Sequence, residues 1–246
     1  MITKGLVKAY GALLAVRRVD LKVAKGEFVA IIGPNGAGKT TLFNLLSGTV
    51  RPTSGQILFK GENISNLPPY EVCRRGMVRT FQITQVFPRL TALENVRLAA
   101  QFKGGGNARI VGGREIIKDT EKKSEEVLDF LGIGSLANLE TAHLSHGDQR
   151  LVELGMALVQ DPEILLLDEP TAGLSVTETH ETVRVLRNIS TERRNTILLV
   201  EHDMDVVFNL AARIIVLNFG GVIAEGSRED IKANEEVQKA YLGGVE

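Results

Sequence analysis

The chain has 246 residues, 43% of them hydrophobic and 24% charged, with a formal net charge of −1. That balance predicts a packed core rather than a disordered chain, and it supplies no overall basic field for nucleic acid, so no nucleic-acid partner is expected. The single cysteine, Cys73, excludes an internal disulfide. No apolar run approaches the roughly 18 to 20 residues that a spanning helix needs, and no basic-then-apolar secretion signal opens the chain.

Taken in order, residues 2–10 and 13–23 place apolar residues at mostly alternating positions, which predicts antiparallel strands. Tyr10 ends the first of them. An aromatic there fits either stacking on a purine or half-burial on a strand. Lys25-Gly26 turns the chain into Phe28-Val29-Ala30-Ile31-Ile32, an unbroken apolar run that reads as a buried strand. A turn over Arg51–Gly55, a strand over Gln56–Phe59 and a short helix from Leu67-Pro68-Pro69 to Arg75 follow. Val78–Gln82 reads as a strand with a polar end. Thr91–Gln101 reads as a helix, with Thr91 and Glu94 forming a capping box. Residues 103–113 hold five glycines in two clusters and read as a surface connection. Charged residues 114–126 lead into apolar 127–131 as one long exposed helix. A second helix runs from Arg150 to Val159. Glu163–Pro170 reads as a buried strand ending in two acids, 176–193 as an amphipathic helix, and Asn195–Val200 as another buried strand. Two late strands, 213–219 and 222–225, precede a polar helical tail from Ser227. Strands alternating with helices predict an α/β fold with a mostly parallel sheet.

The stretch Gly33-Pro34-Asn35-Gly36-Ala37-Gly38-Lys39-Thr40-Thr41 fits the phosphate-loop pattern, and it stands between a strand and a helix start. That arrangement turns backbone N–H groups and a helix N-terminus toward one point, where an anion binds. Lys39 adds a positive charge for β- and γ-phosphates, and the Thr40 hydroxyl is a candidate Mg²⁺ ligand. Asn35, Gly36, Ala37, Gly38 and Thr41 complete the candidate nucleotide cradle, with Tyr10 and Val16 as further nucleotide-binding candidates.

Asp168 and Glu169 end an apolar strand, where open α/β sheets bind ligands. Asp168 is a candidate Mg²⁺ ligand and Glu169 a candidate base for an attacking water. His202 follows a second apolar strand and is a candidate for holding the γ-phosphate or that water. The Gln82 amide, at a strand end, can reach both metal and water. Ser145 and Gly147 sit at a helix start, which reads either as an ordinary cap or as a second anion site. One nucleotide rarely needs two helix ends so far apart in sequence, so a second site would serve the nucleotide of another copy.

These elements in this order resemble the nucleotide-binding subunit of ATP-binding cassette (ABC) transporters. The resemblance rests on the phosphate loop 33–41, Gln82, Leu144-Ser145-His146-Gly147-Asp148-Gln149, Ile164 to Pro170, Ala172-Gly173-Leu174-Ser175 and His202. More narrowly, Val78–Gln82, Phe87–Val96, Glu201–Val207 and Lys239–Gly243 resemble the LivG-type ATPase of branched-chain amino-acid importers. Two departures stand out. His146 and Asp148 replace the Gly and Gln usual in the serine-bearing signature, and Ser175 replaces the usual Asp or Asn.

The resemblance implies one ABC ATPase domain over 1–246. It would combine a P-loop NTPase core, an N-terminal antiparallel β subdomain, and a helical subdomain of roughly 89–159 inserted between 1–88 and 160–246. It implies ATP and Mg²⁺ as cofactors, and a head-to-tail dimer with itself or a related ATPase subunit. Glu169 would be the general base, with His202 and Gln82 positioning water and metal. Closure would push on transmembrane permease subunits through a groove beside Ile83 to Leu90, on the cytoplasmic inner face of the membrane. The competing expectation is a soluble ABC-type ATPase without a permease, such as one in iron–sulfur cluster assembly.

Overall fold

The computed structural model describes residues 1–80, 86–103 and 113–242. Contacts divide the chain into two units: Met1–Arg79 with Glu163–Glu169 and Leu186–Glu246, and Thr80–Pro162 with Pro170–Val185.

In the first unit, β1 (Ile2–Tyr10) and β2 (Leu13–Lys22) pair antiparallel, as their alternation predicts. β4 (Ser54–Phe59) joins β1, and β5 (Glu62–Asn63) joins β4, giving a sheet of order β2-β1-β4-β5. The second sheet is built round β3 (Phe28–Ile32), β7 (Ile164–Asp168) and β8 (Thr196–Val200), in which every residue is buried. Strands hidden on both faces need continuous apolar runs, and these three have them save for Thr196 and Asp168 at the ends. With β6 (Met77–Arg79), β9 (Arg213–Asn218) and β10 (Gly221–Gly226) the order is β10-β9-β3-β8-β7-β6. All neighbours pair parallel except β10 with β9.

Helix α1 (Lys39–Leu46) follows β3 directly. Its Leu42, Phe43, Leu45 and Leu46 pack with Ile31, Leu166, Leu198 and Val200 in one core, each at most 1% exposed. Burying each such side chain is worth about 1.5–3 kcal/mol, so the helix carrying Lys39 is anchored on the strands carrying the acids. On the other sheet face, Ala30 and Ile32 pack with Val207 of α7 (Met204–Leu210), Ile231 of α8 (Arg228–Ala233) and Val237 of α9 (Glu235–Leu242). Helix α2 (Pro69–Arg74) begins on proline, as expected.

The second unit holds α3 (Ala92–Lys103), α4 (Gly113–Phe130) and α5 (His146–Leu158). Gly155 lets them approach: a Cβ there would stand 3.1 Å from Val96 and 3.2 Å from Leu131. The Thr91–Glu94 capping box forms, with Thr91 N–H donating to Glu94 and Glu94 N–H donating to Thr91. Asn95, fully buried, accepts from Phe87 N–H and donates to the Phe87, Leu90 and Thr91 carbonyls, fixing the loop before α3. Helix α6 (Val176–Thr191) starts in this unit and ends in the other.

Three expectations are corrected. Helix α5 starts at His146, not Arg150, because Ser145 caps it. Strand β6 stops at Arg79, short of the expected end at Gln82, which lies outside the described residues. Helix α7 was not expected; Asp203 caps it by accepting from the Asp205 and Val206 N–H groups.

Candidate functional site

Strand β3 ends at Ile32, and the chain turns through Gly33 and Gly38 before α1. A Cβ on Gly33 would lie 2.1 Å from the Leu217 carbonyl, and one on Gly38, whose φ is 100°, 2.3 Å from the Ala15 carbonyl. Only glycine fits either place. Gly38 is the N-cap of α1 and brings no side chain to its N–H groups. A helix start without a side-chain cap leaves those donors for a ligand. The Lys39 ammonium donates to the Gly33 carbonyl at 2.6 Å and the Pro34 carbonyl at 3.1 Å, so the lysine lies along its own loop. Burial pulls its pKa below the ordinary lysine value, while Glu169 and Asp168 push it back up. Asn35, Gly36 and Thr40 are exposed, Thr41 is half-buried, and Ala37 is buried, its carbonyl accepting from Gly220 N–H.

The order β3-β8-β7 sets the ends of three parallel strands side by side, at about 4.8 Å per step. Asp168, the last residue of β7, is 2% exposed and accepts from an Arg79 guanidinium N–H at 2.6 Å. Glu169 follows with φ 49°, a left-handed conformation rare for a residue with a side chain. Its N–H donates to the Val200 carbonyl of β8, which holds that turn in place. Beyond β8, the His202 Nε2 stands 2.9 Å from Glu169 Oε1. The Glu201 carboxylate accepts from the His202 N–H. Thus Lys39, Asp168, Glu169 and His202 belong to one unit, and the imidazole and carboxylate meet directly.

In the second unit, Ser145 caps α5, its hydroxyl accepting from Asp148 N–H and donating to Asp148 Oδ2 at 2.8 Å. The Gly147 N–H donates to Glu178 Oε1 at 3.0 Å. The other Glu178 oxygen accepts from the Ser175 N–H at 2.9 Å and the Ser175 hydroxyl at 2.7 Å. The Ser175 hydroxyl, then its N–H, then that of Gly147 hold the Glu178 carboxyl down at a pKa of about 2.

A phosphate-binding turn, paired acids at a neighbouring strand end and a histidine on one of them narrow the search to nucleotide hydrolases. The sequence profile described as ABC transporter matches residues 16–172. The chain belongs to the ABC transporter family. It is an ATPase cassette, and a second profile, described as branched-chain amino acid ATP-binding cassette transporter, matches residues 222–246. The high-affinity branched-chain amino acid transport ATP-binding protein LivG of Escherichia coli (strain K12) is 40% identical over 244 residues, 97% of this chain and 96% of that protein. The crystal structure of a nucleotide-free ATP-binding cassette from an ABC transporter superposes with a TM-score of 0.86 at 32% identity, covering 98% of this chain and 97% of that one. A dimeric, post-hydrolysis ATP-binding cassette bound to ADP and Pi gives 0.78 at 31% identity, covering 92% of this chain and 97% of that one.

Val16 shares a buried core cluster with Ala37 of the loop, and the Ala15 carbonyl beside it is the one that a Cβ on Gly38 would meet. Val16 is 1% exposed within the core, and Tyr10 is 48% exposed with the Lys8 ammonium 4.9 Å from its ring centre. Gln82 lies outside the described residues. Among the described residues no three His, Cys, Asp or Glu side chains are grouped to hold a metal. Thr40 and Asp168 supply hard oxygen donors, which fits Mg²⁺, an ion usually held by one or two protein oxygens together with substrate phosphates.

Three residues escaped the sequence reading. Glu178 stands three residues after Ser175, a capping-box spacing that was there to be read. Arg79 is a charge at the end of β6 after buried Met77 and Val78, a signal that it has a partner. Tyr241 gave no signal; its phenol oxygen meets the Gly33 backbone, and burial pushes its pKa up.

Proposed function

We propose that this ATPase is the motor subunit of an importer for branched-chain or related amino acids. The sequence relatives carry that function in their names, and nothing in them points to an ATPase working without a permease. The observation carrying the catalytic reading is the 2.9 Å approach of His202 to Glu169 at the strand end beside the Lys39 loop.

In this reading, the N–H groups of residues 36–41 and the Lys39 ammonium hold the β- and γ-phosphates. Thr40 and Asp168, with Gln82, would hold Mg²⁺, which would supply positive charge to neutralise the phosphates. Glu169 takes the proton of the attacking water, and His202 orients that carboxylate and the γ-phosphate. The Ser145–Gly147 tip of α5 meets the nucleotide of a second cassette, head to tail, so that each nucleotide is closed between two chains. The segment 89–159 serves as the helical subdomain, and the stretch from 83 to 90 receives the permease.

Among the described residues no helix is long and apolar enough to cross a membrane. Attachment at the inner membrane face therefore runs through the permease subunits in this reading. The test is reconstitution of the chain with permeases and binding protein encoded beside it. ATPase activity stimulated by branched-chain amino acids is expected. Glu169→Gln should lower turnover about 10²- to 10⁴-fold, the usual contribution of a positioned base, while ATP still binds. Stimulation by unrelated solutes alone would overturn the substrate class, and normal turnover in Glu169→Gln would overturn the base assignment.

A further inference from the structure

The pair Arg79–Asp168 is a buried contact that the catalytic scheme above does not use. Its side chains are only 7% and 3% exposed. A buried ion pair is a poor source of stability, because desolvating two charges offsets most of their attraction. Its cost calls for another reason to keep it.

The geometry supplies one. Arg79 pairs with Leu166 across the parallel β6–β7 ladder, and Asp168 lies two residues further along β7, on the same face. One arm of the guanidinium reaches forward to Asp168 Oδ2 at 2.6 Å. The other, Nη1, reaches Asn44 Oδ1 at 2.6 Å and Ser47 Oγ at 3.2 Å, both at the far end of α1. The guanidinium carbon also stands 5.7 Å from the centre of the Phe43 ring, a cation–π distance. One rigid fork therefore ties the helix that begins with Lys39 and Thr40 to the acid at the end of β7. A lysine, with a single mobile ammonium, cannot hold both sides in one plane.

We propose that Arg79 is a positioning residue for the Mg²⁺–nucleotide complex: it fixes the Asp168 carboxylate and its spacing from Thr40. The proposal rests on the reading of Asp168 as the residue that faces the metal. Arg79 acts through Asp168 and touches neither nucleotide nor metal. Outer partners of this kind usually change metal affinity 10- to 100-fold when altered.

The test uses the full chain and a fluorescent ATP analogue, bound first in EDTA and then over a Mg²⁺ series. Arg79→Lys keeps the charge and so avoids leaving Asp168 buried without compensation, and thermal unfolding checks that it folds. The expected result is unchanged affinity in EDTA, within about twofold, and a Mg²⁺ midpoint raised about tenfold or more. Arg79→Met, if it folds, should raise the midpoint further. Asp168→Asn is measured beside them. A midpoint unmoved in Arg79→Lys but raised in Asp168→Asn would overturn the role of Arg79. Equal losses with and without Mg²⁺ would also overturn it, by showing a merely structural part. A midpoint unmoved in Asp168→Asn would overturn the metal reading of Asp168, and the proposal with it.

Discussion

The phosphate loop and the tip of α5 are both helix starts with donors for an anion, yet they satisfy those donors in opposite ways. At the loop, Gly38 offers no side chain to α1, and the cation Lys39 rests on carbonyls of residues 33 and 34. At the tip, the chain's own acids are already in place: Glu178 on the Gly147 N–H, Asp148 on the Ser145 hydroxyl. In the proposed reading, the first site would receive a phosphate without evicting an anion. In the same reading, the second would have to exchange a carboxylate for a phosphate oxygen before serving a second cassette's nucleotide. The difference teaches that one chain can hold a strong anion site and a guarded one by the choice of a single neighbouring side chain.

Breaking the first site should have the larger effect. Lys39→Ala removes a charged donor worth about 1.5–3 kcal/mol, so ATP affinity should fall roughly 10- to 100-fold by calorimetry. Unchanged affinity would count against the phosphate-loop reading.

Relieving the second site should act less and in the other direction. Glu178→Gln removes the anion yet keeps a side chain able to serve the α6 capping box with Ser175. In a Glu169→Gln background that blocks turnover, it should lower the ATP concentration for half-maximal dimer formation by roughly threefold to tenfold, less than one full charge-assisted hydrogen bond because the Gln keeps a neutral contact. Weaker dimerisation would show that Glu178 supports the tip instead of guarding it.

The smallest expected effect is that of pH. The folded-state pKa of Glu178 is depressed, from an ordinary value of 4.5 to about 2. Its contribution is therefore fully present above about 4.5 and lost only as pH falls toward 2. Dimer formation by the parent chain should show no step from Glu178 between about pH 6 and 8. A step in that range that vanishes in Glu178→Gln would contradict the contacts at the tip.

The same contrast governs what could be read from the sequence. The loop is local: nine consecutive residues between an apolar strand and a helix carry it. The buried strands were equally plain, because hiding both faces demands an unbroken apolar run. The helix start at His146 was placed late because Gly147 and Asp148 disfavour helix interiors, although a first turn tolerates them. Helix α7 escaped because its seven residues are too few to show a period. Glu178 was half legible, since its bonds to Ser175 are local and its bond to Gly147 spans 31 positions. The Arg79–Asp168 pair spans 89 and depends on strand order, which no local pattern encodes.

The uniform burial of β7 has a further consequence for how the chain assembles. A strand that alternates is threaded in the correct frame because a slip by one residue turns its oily side outward. The run Ile164-Leu165-Leu166-Leu167 is covered above and below, so such a slip would go almost unnoticed by solvent. What notices is the polar punctuation at its two ends. The Gly76 carbonyl takes the N–H groups of Glu163 and Ile164, and Arg79 meets Asp168 two positions beyond its ladder partner Leu166. A slip that sets Leu167 in the place of Asp168 would strand that guanidinium without its counter-charge, at about 3–5 kcal/mol, the order of the penalty for breaking a buried pair.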